Sequence, residues 1–454
     1  MKYMSTRGET APHSFSEAVA AGLAPDGGLF LPEPLPKFSG VPEAWETLNY
    51  AELAAEVLAP FAPEIALEEW RELTAKAYGS FHHEAVAPLV ELSPSLSVLE
   101  LFHGPTLAFK DFALQLLGLL YKRQVQQSGG RLAVLGATSG DTGSAAIHGC
   151  LGQEGIEIFI LYPKGRVAAL QERQMACTGA ANVHALQIEG TFDDAQALVK
   201  EAFADGEFAA EVQLSAVNSI NIARILAQCV YYIWAYLRLP AGVRETVEFV
   251  VPTGNFGNVL AGWLAQQMGL LPGTVRFRVA TNQNDILYRF FKTGYYMRGA
   301  VQPSHAPSMD IQAASNFERY VFFLKERYPA AVRATMRRLQ AGEEVGMALP
   351  RGTFSASRMS DTQIGPTIQA AYAQYGYVLD PHTACAFQEF APDRHSVVLA
   401  TASPAKFPEV VQRAIGVEPT HPSLEALKTL PLQTTELEPT TEAIKAYIRL
   451  AVGR

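Results

Sequence analysis

Among the residues able to do covalent chemistry, Lys110 has the most unusual surroundings. It stands in LFHGPTLAFKDF (101–112), between Phe109 and Asp111, just after a Gly104-Pro105 turn and ahead of an apolar helical pattern over 112–120. An amine desolvated at the mouth of a helix loses its proton more readily than a solvated one. Burial and the positive end of the helix dipole both disfavour the ammonium form. A neutral amine is what Schiff-base chemistry requires. The competing reading is an ordinary lysine that leaves a helix start and carries its charge to solvent.

Two loops carry the means to hold an anion near such an amine. The first is Gly136-Ala137-Thr138-Ser139-Gly140-Asp141-Thr142-Gly143, and the second is Gly254-Asn255-Phe256-Gly257-Asn258. Both run from a strand pattern into a helix pattern. Their glycines let backbone approach a ligand closely, and the amides of a helix start cradle carboxylate or phosphate. Neither matches GxGxxG, GxxxxGK[ST] or GxSxG, because Thr138 occupies the elbow position; this weakens nucleotide-cradle and serine-hydrolase readings.

A third group is basic and polar: Lys164, Arg166 and Arg173, then Asn218-Ser219-Ile220-Asn221 with Arg224. Asn221 and Arg224 are i, i+3 neighbours on a helical pattern. Arg224 interrupts an apolar helix, where an unpaired charge is costly, so it either ends in an internal ion pair or forms part of a phosphate clamp. His82-His83-Glu84 and the scattered His103, His148 and His184 lack the i, i+4 spacing of a helical metal site, and no metal is expected.

These residues must be positioned by a chain of 454 residues, too long for one ordinary core, so two or three domains are expected. With 48% hydrophobic and 18% charged residues the chain is globular; its net charge of −9 and lack of a basic block argue against nucleic-acid or membrane-surface partners. Cys150, Cys177, Cys229 and Cys385 make neither CxxC nor zinc spacing. The start, MKYMSTRGET, has no apolar signal region, and the hydrophobic pattern 220–239 is broken by Asn221, Arg224 and Gln228. A soluble cytoplasmic enzyme is the expectation.

The first hundred residues read as mostly helical, with helices over 49–58, capped by Asn49, and 67–78. Beyond them strands at 132–135, 157–162 and 182–188 alternate with helices at 144–151, 168–178 and 192–203. The long helix 220–239 is followed by a strand–turn–helix unit over 247–268 and a strand at 275–280. Helices at 316–328 and 330–340 precede strands near 377–379 and at 396–400. Alternation at this spacing predicts right-handed βαβ crossovers and parallel sheets, whose ligands bind beyond the carboxyl ends of the strands.

Taken together, YMSTRG, GLAPDGGLFLP, HGPTLAFKD, SGDTG, YPKGR, NSIN-ARI, VPTGNFGN and TASPAKF resemble pyridoxal-phosphate enzymes of the tryptophan-synthase-β type, and among them the longer bacterial and fungal branch of the threonine synthases. The motifs run in family order along nearly the whole chain. The resemblance implies an α/β fold of PLP fold type II, with two parallel-sheet domains and a mostly helical N-terminal domain. It suggests boundaries of 1–98 for the N-terminal domain, 99–130 with 205–454 for the large domain, and 131–204 for an inserted small domain.

The family's cofactor lysine falls on Lys110. The resemblance further implies that Gly254, Asn255, Phe256, Gly257 and Asn258 bind the phosphate of pyridoxal 5'-phosphate and that Thr401 meets its pyridine nitrogen. Ser139, Asp141 and Thr142 are implied for the substrate carboxylate, and Lys164, Asn218 and Arg224 for the substrate phosphate. The implied reaction converts O-phospho-L-homoserine and water to L-threonine and phosphate, with no macromolecular partner, and either monomer or homodimer fits. A phosphohomoserine lyase, a serine/threonine dehydratase and a non-catalytic binding protein on the same scaffold are the alternatives. Ser403 stands where the family pattern has histidine, Ile222 where it has a bulky aromatic, and Ala313-Ala314 also depart from it.

Overall fold

The computed structural model describes residues 1–138, 140–350 and 352–453. Two sheets carry the site. The larger runs in the order Phe354–Arg358, Arg276–Thr281, Val247–Pro252, His395–Ala400, Leu96–Glu100 and Leu89–Ser93, parallel throughout except for the last pair. The smaller runs Thr435–Leu437, Val183–Ile188, Ile156–Pro163, Leu132–Ala137 and Leu214–Ala216, all parallel. Val247–Pro252 and His395–Ala400 are buried at every position, the pattern of a parallel strand covered on both faces.

The N-terminal region pairs Lys2–Ser5 with Phe30–Glu33 antiparallel and adds helices Phe15–Ala21, Tyr50–Leu58 and Leu67–Tyr78. Asn49 caps Tyr50–Leu58 as expected: its side chain accepts from the Glu52 amide, and the Glu52 carboxylate accepts from the Asn49 amide. The last two helices dock through Tyr50, edge-on to Phe112 and Trp234, and Tyr78, edge-on to Tyr50 with its hydroxyl donating to the Phe112 carbonyl at 3.1 Å. The aromatic cluster therefore fixes the chain two residues beyond Lys110.

Helix Asp111–Ser128 crosses helix Asp141–Cys150 at backbone contact. A Cβ on Gly118 would lie 1.9 Å from the Gly149 carbonyl oxygen, and one on Gly149 would lie 2.2 Å from that of Leu114. Only glycine at both positions permits the approach, which brings the two helix N-termini, and with them Lys110 and Asp141, to one place.

Several expectations need correction. Residues 377–379 are not a strand; they form an irregular, half-buried connection in which Leu379 is packed in the core and the Tyr377 hydroxyl donates to Glu100. A short buried apolar run does not distinguish strand from coil by pattern alone. The span 131–204 does not contain the whole small sheet: Leu214–Ala216 and Thr435–Leu437 complete it, and Ile444 and Ile448 of the helix Thr441–Val452 share its core. The boundary at 98 likewise cuts the strand Leu96–Glu100, which with Leu89–Ser93 belongs to the large sheet. Apart from the local hairpin of Leu89–Ser93 with Leu96–Glu100, these pairings are long-range and leave little local signature in strands of three to five residues.

Candidate active site

Lys110 is the N-cap residue of helix Asp111–Ser128. The turn before it is folded by Asp111, whose carboxylate accepts from the Thr106 amide at 2.9 Å and from its hydroxyl at 2.7 Å. The Phe109 amide donates to the Thr401 carbonyl, and the Ser403 amide donates to the Leu107 carbonyl, so the 401–403 segment lies alongside the 107–109 segment. Thr401 is buried, and its own amide donates to the Thr383 hydroxyl at 3.2 Å.

The Lys110 amine is buried. Its Nζ lies 3.1 Å from Asp141 Oδ2 and 3.4 Å from Ser308 Oγ. Burial pushes its pKa below the ordinary lysine value; Asp141 opposes this, while Lys406 and Arg224 add to it. The lowered basicity expected of this residue is thus present, with desolvation its leading cause.

Asp141 is the hub of the cluster. Oδ1 accepts from Lys406 Nζ at 2.9 Å and from Gln171 Nε2 at 2.8 Å, and Oδ2 also accepts from Ser308 Oγ at 3.1 Å. Burial alone would raise this carboxyl; Lys110 and Lys406 instead hold it well below the usual range. An ionised Asp141 repels an anion such as a carboxylate; Thr142 stands half-buried in the same first helical turn. Ser139 lies outside the described residues.

The second loop lies beside the same cluster. A Cβ on Gly254 would fall 2.9 Å from the Ser308 carbonyl and 3.3 Å from Met309 Cα, so backbone closes over backbone there. Phe256 takes a left-handed conformation (φ 64°), starts helix Gly257–Gln267 without a side-chain cap, and buries its ring among Phe291, Phe317, Tyr320 and Phe354. The aromatic therefore anchors the loop from behind. Asn258 Oδ1 accepts from the Tyr231 and Tyr232 hydroxyls, while its buried Nδ2 has no partner among the described residues.

Pyridoxal phosphate needs an amine for its aldehyde and donors for its phosphate. A buried lysine of lowered basicity, an uncapped helix start, a glycine cradle and an orphaned amide donor fit that need.

Arg224 is buried in the first turn of helix Ile222–Arg238 with no carboxylate within ion-pair distance among the described residues. Its Nη1 donates to the Asn218 carbonyl at 2.7 Å, its Nε is buried without a partner, and burial pushes its pKa down to about 10. The internal ion pair that the sequence left open does not form. Asn218 turns its side-chain oxygen inward to the amides of Ile220 and Asn221.

Asn221 caps the helix through Ala223 and bonds the Val19 carbonyl, so it is not a partner of Arg224 in a clamp. Among the described residues Lys164 shares no bond with the cluster; it is exposed at the end of strand Ile156–Pro163, 2.7 Å from Glu436 and 3.7 Å from Glu189.

Sequence reasoning missed Lys406, Ser308, Gln171 and the His382–Asp380 pair, whose imidazole accepts from the Ser308 amide at 3.1 Å. Lys406 sits inside the TASPAKF motif and His382 inside DPHTA. In neither motif does local sequence signal that the side chain is buried.

The family model "Threonine synthase N terminus" matches residues 2–78, "Pyridoxal-phosphate dependent enzyme" residues 82–397, and "Threonine synthase, C-terminal" residues 382–448. The threonine synthase of Pseudomonas aeruginosa is 47% identical over 436 residues, covering 93% of this chain and 92% of that one. A PLP-bound threonine synthase from Brucella melitensis superposes with a TM-score of 0.94 at 45% identity, covering 100% of both chains. The yeast threonine synthase structure gives 0.90 at 35% identity, covering 100% of this chain and 99% of that one. The chain belongs to the threonine synthase family.

Proposed function

We propose that this PLP-dependent lyase acts on O-phospho-L-homoserine, converting it with water to L-threonine and inorganic phosphate. The observation that carries the substrate assignment is Arg224: a buried guanidinium with no carboxylate partner and an orphaned Nε, close enough to Lys110 to perturb its amine. An unpaired buried cation is expensive, and a dianionic phosphate is the ligand that guanidinium geometry suits. Asn218, with its oxygen tied to backbone, has its amide nitrogen left for the same phosphate.

Bound pyridoxal phosphate supplies an electron sink that stabilises negative charge at the substrate α-carbon. Lys110 Nζ accepts the α-proton, and the burial that lowers its basicity favours the unprotonated amine this requires. Asp141 and Ser308 both accept from that nitrogen and hold it in place. Arg224 would hold the phosphate as the Cγ–O bond breaks with loss of a proton from Cβ; a proton is then returned to Cγ, water adds its hydroxyl at Cβ, and a proton returns to Cα. Thr142 and the loop amides orient the substrate carboxylate. The neutral hydroxyl of Thr401 is suited to a pyridine nitrogen that stays unprotonated. Buried free thiols at Cys150, Cys177, Cys229 and Cys385 accord with a reducing, cytoplasmic setting.

The test is product identification with purified protein, pyridoxal phosphate and O-phospho-L-homoserine. Threonine and phosphate in equal amounts support the reading. A keto acid as the main product would instead make the chain a dehydratase or lyase on this scaffold.

A further inference from the structure

We propose that Lys406 is a positioning residue for the Lys110 amine: buried between Thr106 and Asp141, it neutralises the carboxylate that faces Lys110 and leaves Lys110 free to release its proton. The inference rests on Lys110 being the reacting amine.

Lys406 is nearly sealed from solvent, its side chain 1% exposed. Its Nζ has two acceptors, Asp141 Oδ1 at 2.9 Å and the Thr106 carbonyl at 2.8 Å. Lys110 takes the other oxygen of the same carboxylate at 3.1 Å. One carboxylate thus faces two lysines. Lys406 ends the short turn Pro404–Lys406, and its backbone is tied by Ser403 to Leu107, so both ammonium groups are held on adjoining segments.

If Lys110 faced Asp141 alone, the pair would be an ordinary buried salt bridge and the lysine would keep its proton. A second cation on the far oxygen weakens that hold and adds direct repulsion. The other charged or titratable groups around the cluster are Arg224, which repels in the same sense, His382 with Asp380, and Asp111 with His148. None of these donates to Asp141. Lys406 therefore acts through Asp141 and need not touch the substrate.

The experiment uses the full chain, freed of cofactor and reloaded with pyridoxal phosphate across a pH series, and follows the visible absorbance of lysine-bound cofactor. Lys406→Met and Lys406→Gln, the second keeping a donor for the Thr106 carbonyl without charge, should both move the pH of half-maximal capture rate alkaline by about one unit. Lys406→Arg should restore the wild-type midpoint, and Asp141→Asn combined with Lys406→Met should bring it back towards that value. Thermal melts check that each variant is folded. Slower capture at every pH with an unmoved midpoint in the Gln variant would make Lys406 merely structural and overturn the proposal. Lysine-type absorbance persisting in Lys110→Ala would instead remove the premise, whatever Lys406 does.

Discussion

Lys110 and Asp141 meet at 3.1 Å although 31 residues separate them, because each sits at the N-terminus of a helix and the two helices touch backbone to backbone at Gly118 and Gly149. The reactive geometry is thus set eight residues away from either side chain, by two missing methyl groups.

Gly118→Ala tests that coupling directly. The added Cβ meets a carbonyl oxygen that belongs to backbone, so no flexible side chain can yield, and the cost is expected to be about 1–3 kcal/mol of stability. Chemical denaturation should show the lower midpoint. Cofactor affinity should fall as well, because the Lys110 and Asp141 helices are forced apart.

Lys110→Ala removes the only amine in contact with Asp141 Oδ2 among the described residues. The visible absorbance of lysine-bound cofactor and threonine formation should both vanish, while the melting curve of the cofactor-free protein stays near wild type. Wild-type turnover in this variant would sink the assignment of the amine.

Arg224 carries two opposed expectations. Without ligand its buried, unpaired charge destabilises the fold, so Arg224→Met should melt at or above the wild-type temperature. Inorganic phosphate should stabilise wild type, by about 2.7 kcal/mol at a hundred times its Kd, and have little effect on the variant. The variant's kcat/KM for O-phospho-L-homoserine should drop by about 2–5 kcal/mol in transition-state terms.

Acid stability should report Asp141. Its folded-state carboxyl is held well below the ordinary value near about 3.9. In acid the unfolded chain therefore takes up the proton first. The stabilisation is fully present above the unfolded value and is lost as pH falls through the folded one. Asp141→Asn should lose this contribution, so the stability difference from wild type should narrow steadily below about pH 4. Urea titrations between neutral pH and pH 3 would measure it.

Much of this protein is written locally. The capped helix at Asn49, the glycine-rich loops ahead of helices and the mostly apolar, fully buried strands Val247–Pro252 and His395–Ala400 follow from short-range rules of capping, backbone freedom and burial. Lys110 was a candidate from its local surroundings, an apolar run after a turn, but an ordinary helix-start lysine fitted the same pattern, and its role came from the resemblance. Tertiary structure alone decided the rest. Whether Arg224 found an acid depended on which segments pack against its helix, and none of the described residues brings one. Lys406 reads as an ordinary lysine until the chain closes over it, and Asp141 reads as a carboxylate-loop residue until two amines arrive from residues 110 and 406. Charge pairing inside a fold is set by contacts between segments distant in sequence, where burial makes each pairing count, and local sequence does not record it.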